Sequence, residues 1–256
     1  SGGYGTEAVM TQKPVIALGI CTFKREEFLK RNVNLVLNHI INNPDSPLYG
    51  NLEVYVSDNG QTIEPDTFDS DKIHVFPNIN AGGAGGFTRC IMEALFYRKP
   101  SPFTHIILMD DDIVLNPDVL KKTELFLSVV KKKWQKAPLG GSLIERDVPW
   151  NQFECGALWN RGKIQGGRQN LDLRKPETLL ENAKIENWDY GGWWYCCIPV
   201  PSIREKGLPL PVFIHRDDIE YGIRMGSLMT LNGIGVWHEV VIKKLPQMGE
   251  YYDIRN

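Results

Sequence analysis

Three adjacent carboxylates, Asp110-Asp111-Asp112, close the apolar run Ile106-Ile107-Leu108-Met109. Packing gives no reason for such a cluster, because neighbouring carboxylates repel one another. A divalent cation gives one: Mg²⁺ or Mn²⁺ takes hard oxygen ligands from a rigid scaffold and shares its coordination sphere with a diphosphate. Side chains alternate along an extended chain, so Asp110 and Asp112 share one side and Asp111 takes the other. The outer pair is the natural ligand pair. The competing reading is a turn and cap cluster, since Asn116-Pro117-Asp118 looks like a helix start. His238, after the apolar run Ile234 to Trp237, is either a neutral imidazole ligand for the same cation or a structural histidine. Asp217-Asp218 stands before the helical-looking Ile219–Arg224. One carboxylate there reads as a helix cap, and the other could take a proton from a hydroxyl nucleophile.

Two further motifs bear on ligand binding. Asn80-Ala81-Gly82-Gly83-Ala84-Gly85-Gly86 is a glycine loop before a helix expected over Phe87–Tyr97. It suits a phosphate cradle at a helix N-terminus, or equally a structural turn; it is neither a Walker motif nor a strand-anchored GxGxxG. Gly191-Gly192-Trp193-Trp194-Tyr195 offers flat aromatic faces of the kind that stack on the C–H faces of sugar rings, with core packing as the alternative.

These residues need a scaffold. The first half alternates as βα units: a strand at Val15–Thr22, a helix over Arg25–Ile41, strands at Leu52–Ser57 and Ile73–Phe76, the carboxylate-ended strand, and a helix from about Pro117 to Trp134. The pattern predicts an α/β fold with a mostly parallel sheet flanked by helices, in a single domain. Ligands of such sheets sit beyond the carboxyl ends of the strands, where Phe23-Lys24-Arg25, Asp58-Asn59 and Asp110–Asp112 all fall. Residues 1–14 are expected to be a disordered or appended segment and 15–256 the domain. Its nucleotide-binding half covers about 15–140 and its acceptor-binding half about 141–245.

The chain has 256 residues, 42% of them apolar and 23% charged, ordinary values for a globular domain with an ample core. A net charge of −2 makes no case for nucleic-acid binding. Lys131-Lys132-Lys133, with Lys121, Lys122 and Lys136 nearby, reads as a solvated helix face or as peripheral contact with anionic membrane lipid. Five cysteines (an odd count, with no CxxC) argue against a disulfide framework or structural zinc and for a reducing compartment, most simply the cytoplasm. No run approaches the ~18 apolar residues of a membrane span.

Taken in order, Thr22-Phe23-Lys24-Arg25, Asp58-Asn59-Gly60, the glycine loop, Asp110–Asp112, Gly192-Trp193-Trp194, Asp217-Asp218-Ile219-Glu220-Tyr221 and Trp237-His238 resemble the inverting family 2 glycosyltransferases of GT-A (Rossmann-like) fold. The strongest likeness is to bacterial galactofuranosyltransferases that build cell-wall or surface galactan. The resemblance implies a metal-dependent transfer of galactofuranose from a UDP-sugar to a hydroxyl of a glycan or lipid-linked acceptor, at the inner face of the cell membrane. It implies that Phe23 and Arg25 contact uracil and diphosphate, with Asp58 on the nucleoside. Asn80, Gly82, Gly83 and Asp111 belong to the same donor site. Asp110, Asp112 and His238 would hold Mn²⁺ or Mg²⁺, and Trp193 and Trp194 would form the acceptor platform. Asp218 would be the catalytic base, with Asp217 orienting hydroxyls. Lys24 and the segment Gln152–Gly156 depart from the pattern, the latter leaving the acceptor open. A dTDP-rhamnose or UDP-pyranose donor, or a non-catalytic carbohydrate-binding domain, are the alternatives.

Overall fold

A computed structural model describes residues 7–64, 66–97, 102–184, 186–240, 251 and 255–256. The first half folds as the alternation predicts. Strand β1 (Ile16–Thr22) leads to α1 (Glu26–Val36), β2 (Leu52–Asp58), β3 (Ile73–Pro77), α2 (Gly82–Met92), β4 (His105–Asp110) and α3 (Asp118–Val129). All four strands run parallel in the order β3-β2-β1-β4. Continuous apolar runs such as Ile106–Met109 are buried on both faces, as a helix-covered parallel sheet requires.

The second half extends the same sheet with mixed polarity. It comprises β5 (Leu139–Glu145), β6 (Asn151–Glu154), β7 (Ala157–Asn160), β8 (Lys163–Gly166), β9 (Leu171–Asp172), α4 (Pro176–Asn182), β10 (Cys196–Pro199), α5 (Val200–Lys206), α6 (Asp217–Met225) and β11 (Met229–His238). Strand β10 inserts antiparallel between β4 and β5, and β11 pairs parallel with β5. Two antiparallel steps restore the original direction, so β11 ends on the same edge as β1, β2 and β4. Two apolar clusters fill the two sides of the sheet. One is built on α1, α3 and β11, the other on α2, α5 and α6 with Trp188 and Trp193.

Three boundaries differ from expectation. Helix α2 starts at Gly82, so the glycines form its first turn and are not a loop before it. Gly86 explains why: a Cβ there would stand 2.1 Å from Cys21 Sγ on β1, so only glycine lets the helix lie this close to the sheet. Helix α3 stops at Val129, and Lys132–Trp134 form a separate 3₁₀ turn, which takes the lysine run off the helix. Strand β4 stops at Asp110, leaving Asp111 and Asp112 in a turn. All five cysteines are free thiols; Cys90, Cys155, Cys196 and Cys197 are buried and Cys21 partly so.

Candidate active site

The turn after β4 separates the three carboxylates much as alternation predicts, with the buried member in the middle. Asp111 turns inward, 5% exposed. Its Oδ2 accepts from Thr22 Oγ1 at 2.7 Å and its Oδ1 from Arg25 Nη1 at 3.3 Å. Asn32 Nδ2 donates to the carbonyls of Asp111 and Ile113, each at 2.9 Å. These contacts tie the turn to β1 and α1. Val114 bridges Trp237, its N–H 2.7 Å from the Trp237 carbonyl, which brings the end of β11 against the same turn.

His238 is thereby delivered to Asp110 and Asp112. Its Nε2 lies 2.9 Å from Asp112 Oδ1 and 3.8 Å from Asp110 Oδ2. Its Nδ1 donates to the Glu239 carbonyl at 2.6 Å, which fixes the ring and aims Nε2 at the carboxylates. One ligand atom from each of the three residues lies within 4.8 Å of the others. Two carboxylate oxygens and an imidazole nitrogen form a donor set suited to Mn²⁺ or Mg²⁺. Arg25 Nη1 also reaches Asp112 Oδ2 at 2.5 Å, so the cluster already borrows positive charge from two sides.

Electrostatics follow from this crowding. Burial disfavours the His238 imidazolium, but Asp112 and Asp110 outweigh it and raise the pKa to about 9. Burial lifts Asp110 to about 7, with His238 opposing the rise. Asp112 is held low despite its burial, because it accepts from His238 and lies beside Arg25.

On the other side of the same crevice stands the first turn of α6. The chain reaches it through left-handed residues, Phe213 (φ 76°), His215 (φ 63°) and Arg216 (φ 66°). The glycine turn accommodates this path. Ala84 N–H donates to the Phe213 carbonyl at 3.1 Å, and a Cβ on Gly82 would meet that oxygen at 2.0 Å. Gly83 faces Asp217, whose Oδ2 would be 3.3 Å from an added Cβ. Asp218 Oδ1 accepts from Ile219 N–H at 2.8 Å within the first turn of α6, and Asp218 lines the crevice. Burial, then the charge of Asp217, push Asp218 well above the usual carboxylate range, and burial raises Asp217 as well. A cavity of roughly 580 Å³ joins these groups, walled by Gly83, Asp110, Glu154, Trp193, Trp194 and Asp218 among others.

Not every expected residue presents its functional group to this space. Trp193 is 6% exposed and stacks edge-on with Phe87 and Tyr221, so it is largely core with one border in the wall. Trp194 is half-buried, and its Nε1 donates to the Gly141 carbonyl at 2.8 Å. Asp58 is buried, and its carboxylate accepts from the N–H groups of Gly60, Thr62 and Ile63 at 2.7–3.0 Å. It shapes the loop after β2. Asn80 is exposed, with its Oδ1 3.3 Å from Gly82 N–H. Phe23, 45% exposed, stands at the end of β1 beside Arg25. Two groups in the wall were missed from sequence. Glu154, which burial raises, and Tyr190 both face Asp218 electrostatically. Glu154 ends a four-residue strand that carries no periodic signal, so the sequence sets apart its segment, Gln152–Gly156, but not the residue itself.

No protein-family profile matches the chain. It is similar to the galactofuranosyltransferase GlfT2 of Mycolicibacterium smegmatis, 30% identical over 187 residues, 66% of this chain and 28% of that protein. The GlfT2 of Mycobacterium tuberculosis is 32% identical over 184 residues, 65% of this chain and 27% of that one. The chain therefore spans little more than a quarter of the length of these relatives. Among solved structures, it resembles the Pyrobaculum calidifontis mannosyltransferase PcManGT in complex with GDP-Man and Mn²⁺. The TM-score is 0.53 at 10% identity, covering 96% of this chain and 62% of that one. It also resembles GalNAc-T7 with UDP, GalNAc and Mn²⁺, at a TM-score of 0.57 and 14% identity, covering 90% and 44%. The GT-A fold of glycosyltransferases and the likeness to galactofuranosyltransferases, both implied by the motifs, are thus borne out.

Proposed function

We propose that this chain is a metal-dependent inverting glycosyltransferase that moves galactofuranose from its UDP donor to a hydroxyl of a glycan or lipid-linked acceptor. One observation carries the reading. Asp110, which shares a ligand cluster with Asp112 and His238, lines one crevice with the Asp217-Asp218 pair at the carboxyl edge of the sheet, as a donor diphosphate and an attacking hydroxyl require. The similarity to GlfT2 supports the donor sugar.

A divalent cation held by Asp110, Asp112 and His238 would supply Lewis-acid neutralisation of the leaving nucleoside diphosphate. Phe23 and Arg25, both open to solvent beside the cluster, bind the nucleobase and diphosphate. Asp218 takes the proton of the acceptor hydroxyl as that oxygen bonds to the anomeric carbon, while the bond from this carbon to the diphosphate oxygen breaks and its electron pair leaves with the diphosphate. Burial suits Asp218 to this task, because a carboxylate with a raised pKa is a stronger base near neutrality. Asp217 orients hydroxyls beside it, and Trp193 and Trp194 wall the acceptor side. The residues up to about 140 form the donor half, and those beyond form the acceptor half.

A panel of UDP- and dTDP-sugars with Mn²⁺, read by nucleotide release and product linkage, tests this. UDP-galactofuranose is expected to be the best donor, with an inverted product and activity lost in chelator. No turnover with any donor would favour a non-catalytic carbohydrate-binding role, and a preferred pyranose or rhamnose donor would correct the sugar.

A further inference from the structure

A second cavity of roughly 500 Å³ lies away from the crevice, between the end of α3 and the start of β11. Its floor is apolar, with Phe126, Val129, Leu228, Met229 and Leu231, and Trp134 stands at its rim. Such a groove on a soluble face would ordinarily be closed by packing. Its border carries more basic than acidic groups, with Lys131, Lys133 and Lys184 against Glu186, which pairs with Arg168. Lys131, Lys132 and Lys133 are exposed, and none makes an ion pair among the described residues. Lys133 Nζ lies 5.4 Å from the Trp134 ring centroid, so the indole carries a cation at its edge. Lys184, also on the rim, is paired with Glu181.

The N-terminal stretch adds to this edge. Thr11 N–H and Oγ1 bond the Ser128 carbonyl at 2.8 and 3.2 Å, and Gln12 Nε2 donates to the Leu127 carbonyl, which lays the stretch along the end of α3. Val9 and Met10, just before Thr11, are 82% and 64% exposed. Lysines without ion pairs and a tryptophan bordering an apolar groove, with exposed aliphatic side chains on the stretch that runs along the end of α3, match one kind of surface. An anionic bilayer pairs with the lysines, takes the aliphatic side chains among its headgroups and can lend an acyl chain to the groove. No helix among the described residues is long and apolar enough to cross a membrane, so this would be contact from one side.

We propose that the groove bordered by Lys131–Lys133 and Trp134 docks the protein on anionic phospholipid. The inference does not depend on the glycosyl-transfer reading and is tested without donor or cation.

The test is binding of the full chain to vesicles of phosphatidylglycerol and phosphatidylcholine, against vesicles of phosphatidylcholine alone, at low and high salt. Strong, salt-sensitive binding to the anionic vesicles only is expected. Lys131→Gln/Lys132→Gln/Lys133→Gln should weaken it on the order of 100-fold, about fivefold per lysine, from an attraction of about 1 kcal/mol each. These side chains are exposed and the variant is expected to fold, which circular dichroism checks. Vesicles with brominated acyl chains should quench the wild type measurably more than Trp134→Phe, since the loss reports that indole alone. Equal binding to both vesicle types, triple-variant affinity matching the wild type, or quenching unchanged by Trp134→Phe would each overturn the proposal. So would closure of the face by self-association, seen as a dimer in vesicle-free sedimentation that excludes lipid.

Discussion

Cation binding should expel a proton, and the amount can be worked out. His238 is raised from 6.5 to about 9 by the two carboxylates that would be its fellow ligands. At pH 7 the imidazole is therefore almost wholly protonated, and Nε2 must lose its proton before it can ligate. Two pH units separate 7 from 9, so the competing proton weakens cation binding about 100-fold at pH 7, or roughly 3 kcal/mol at one pKa unit per 1.4 kcal/mol. Apparent Mn²⁺ affinity should rise about tenfold per pH unit from pH 7 towards 9 and then level. Calorimetric titrations in buffers of different ionisation enthalpy should find about 1.5 protons released per cation at pH 7, where Asp110 is also half protonated, falling to about 0.8 at pH 8.5. The same linkage has a stability side. A pKa raised in the fold stabilises fully below the unfolded value of 6.5 and is lost as pH rises through 9. The cation-free protein should thus lose roughly 3 kcal/mol over that window, with Mn²⁺ raising the melting temperature more at pH 8.5 than at pH 6.5. His238→Gln should flatten the pH slope of affinity. Affinity independent of pH from 7 to 8.5, with no buffer-dependent heat, would refute the shared site.

Other outcomes follow from the same geometry. Asp218→Asn should abolish transfer while leaving UDP and Mn²⁺ affinity within a few-fold, and turnover equal to wild type would remove Asp218 as base. Asp111→Ala strips a buried acceptor from Thr22 and Arg25 and should cost roughly 1–3 kcal/mol in urea denaturation, a structural loss distinct from that of a ligand. Gly82→Ala meets both a positive φ of 67° and a carbonyl 2.0 Å from its new Cβ. It should destabilise by more than about 1 kcal/mol and depress kcat through the displaced Phe213–Asp217 segment. Trp193→Ala should cost roughly 3–5 kcal/mol as a core truncation, and a stable variant with only acceptor KM raised would restore the platform reading.

The parallel half of the sheet was legible because each strand is an apolar run with chemistry-bearing residues at its carboxyl end. Asp110 and Asp112 could be paired by side-chain alternation even though β4 stops at Asp110, since the turn keeps the middle carboxylate inward, where Thr22 holds it while Asn32 holds the Asp111 carbonyl. The glycine-rich start of α2 was harder. Glycine counts equally for a phosphate cradle and for close helix–sheet approach, and only the position of Cys21 Sγ showed the second at Gly86. Asp58 sits at the expected strand end, yet three backbone N–H groups engage its carboxylate, a matter of loop path that no spacing encodes. The antiparallel insertion of β10 depends on long-range pairing with β4, and the placement of Glu154 on pairing with neighbouring β5, each through a four-residue strand too short to show a period.

The route by which β11 reaches the sheet has a consequence for folding. Its partner β5 lies some ninety positions earlier in the chain, and His238 must find carboxylates 126 positions away. Contacts of such sequence separation close large loops and tend to form late. During synthesis the parallel half can assemble while the site still lacks its imidazole, because β11 emerges after every other strand of the sheet. The cation site is then a checkpoint of completed folding: refolding followed by Mn²⁺ binding should lag refolding followed by burial of β1 and β4.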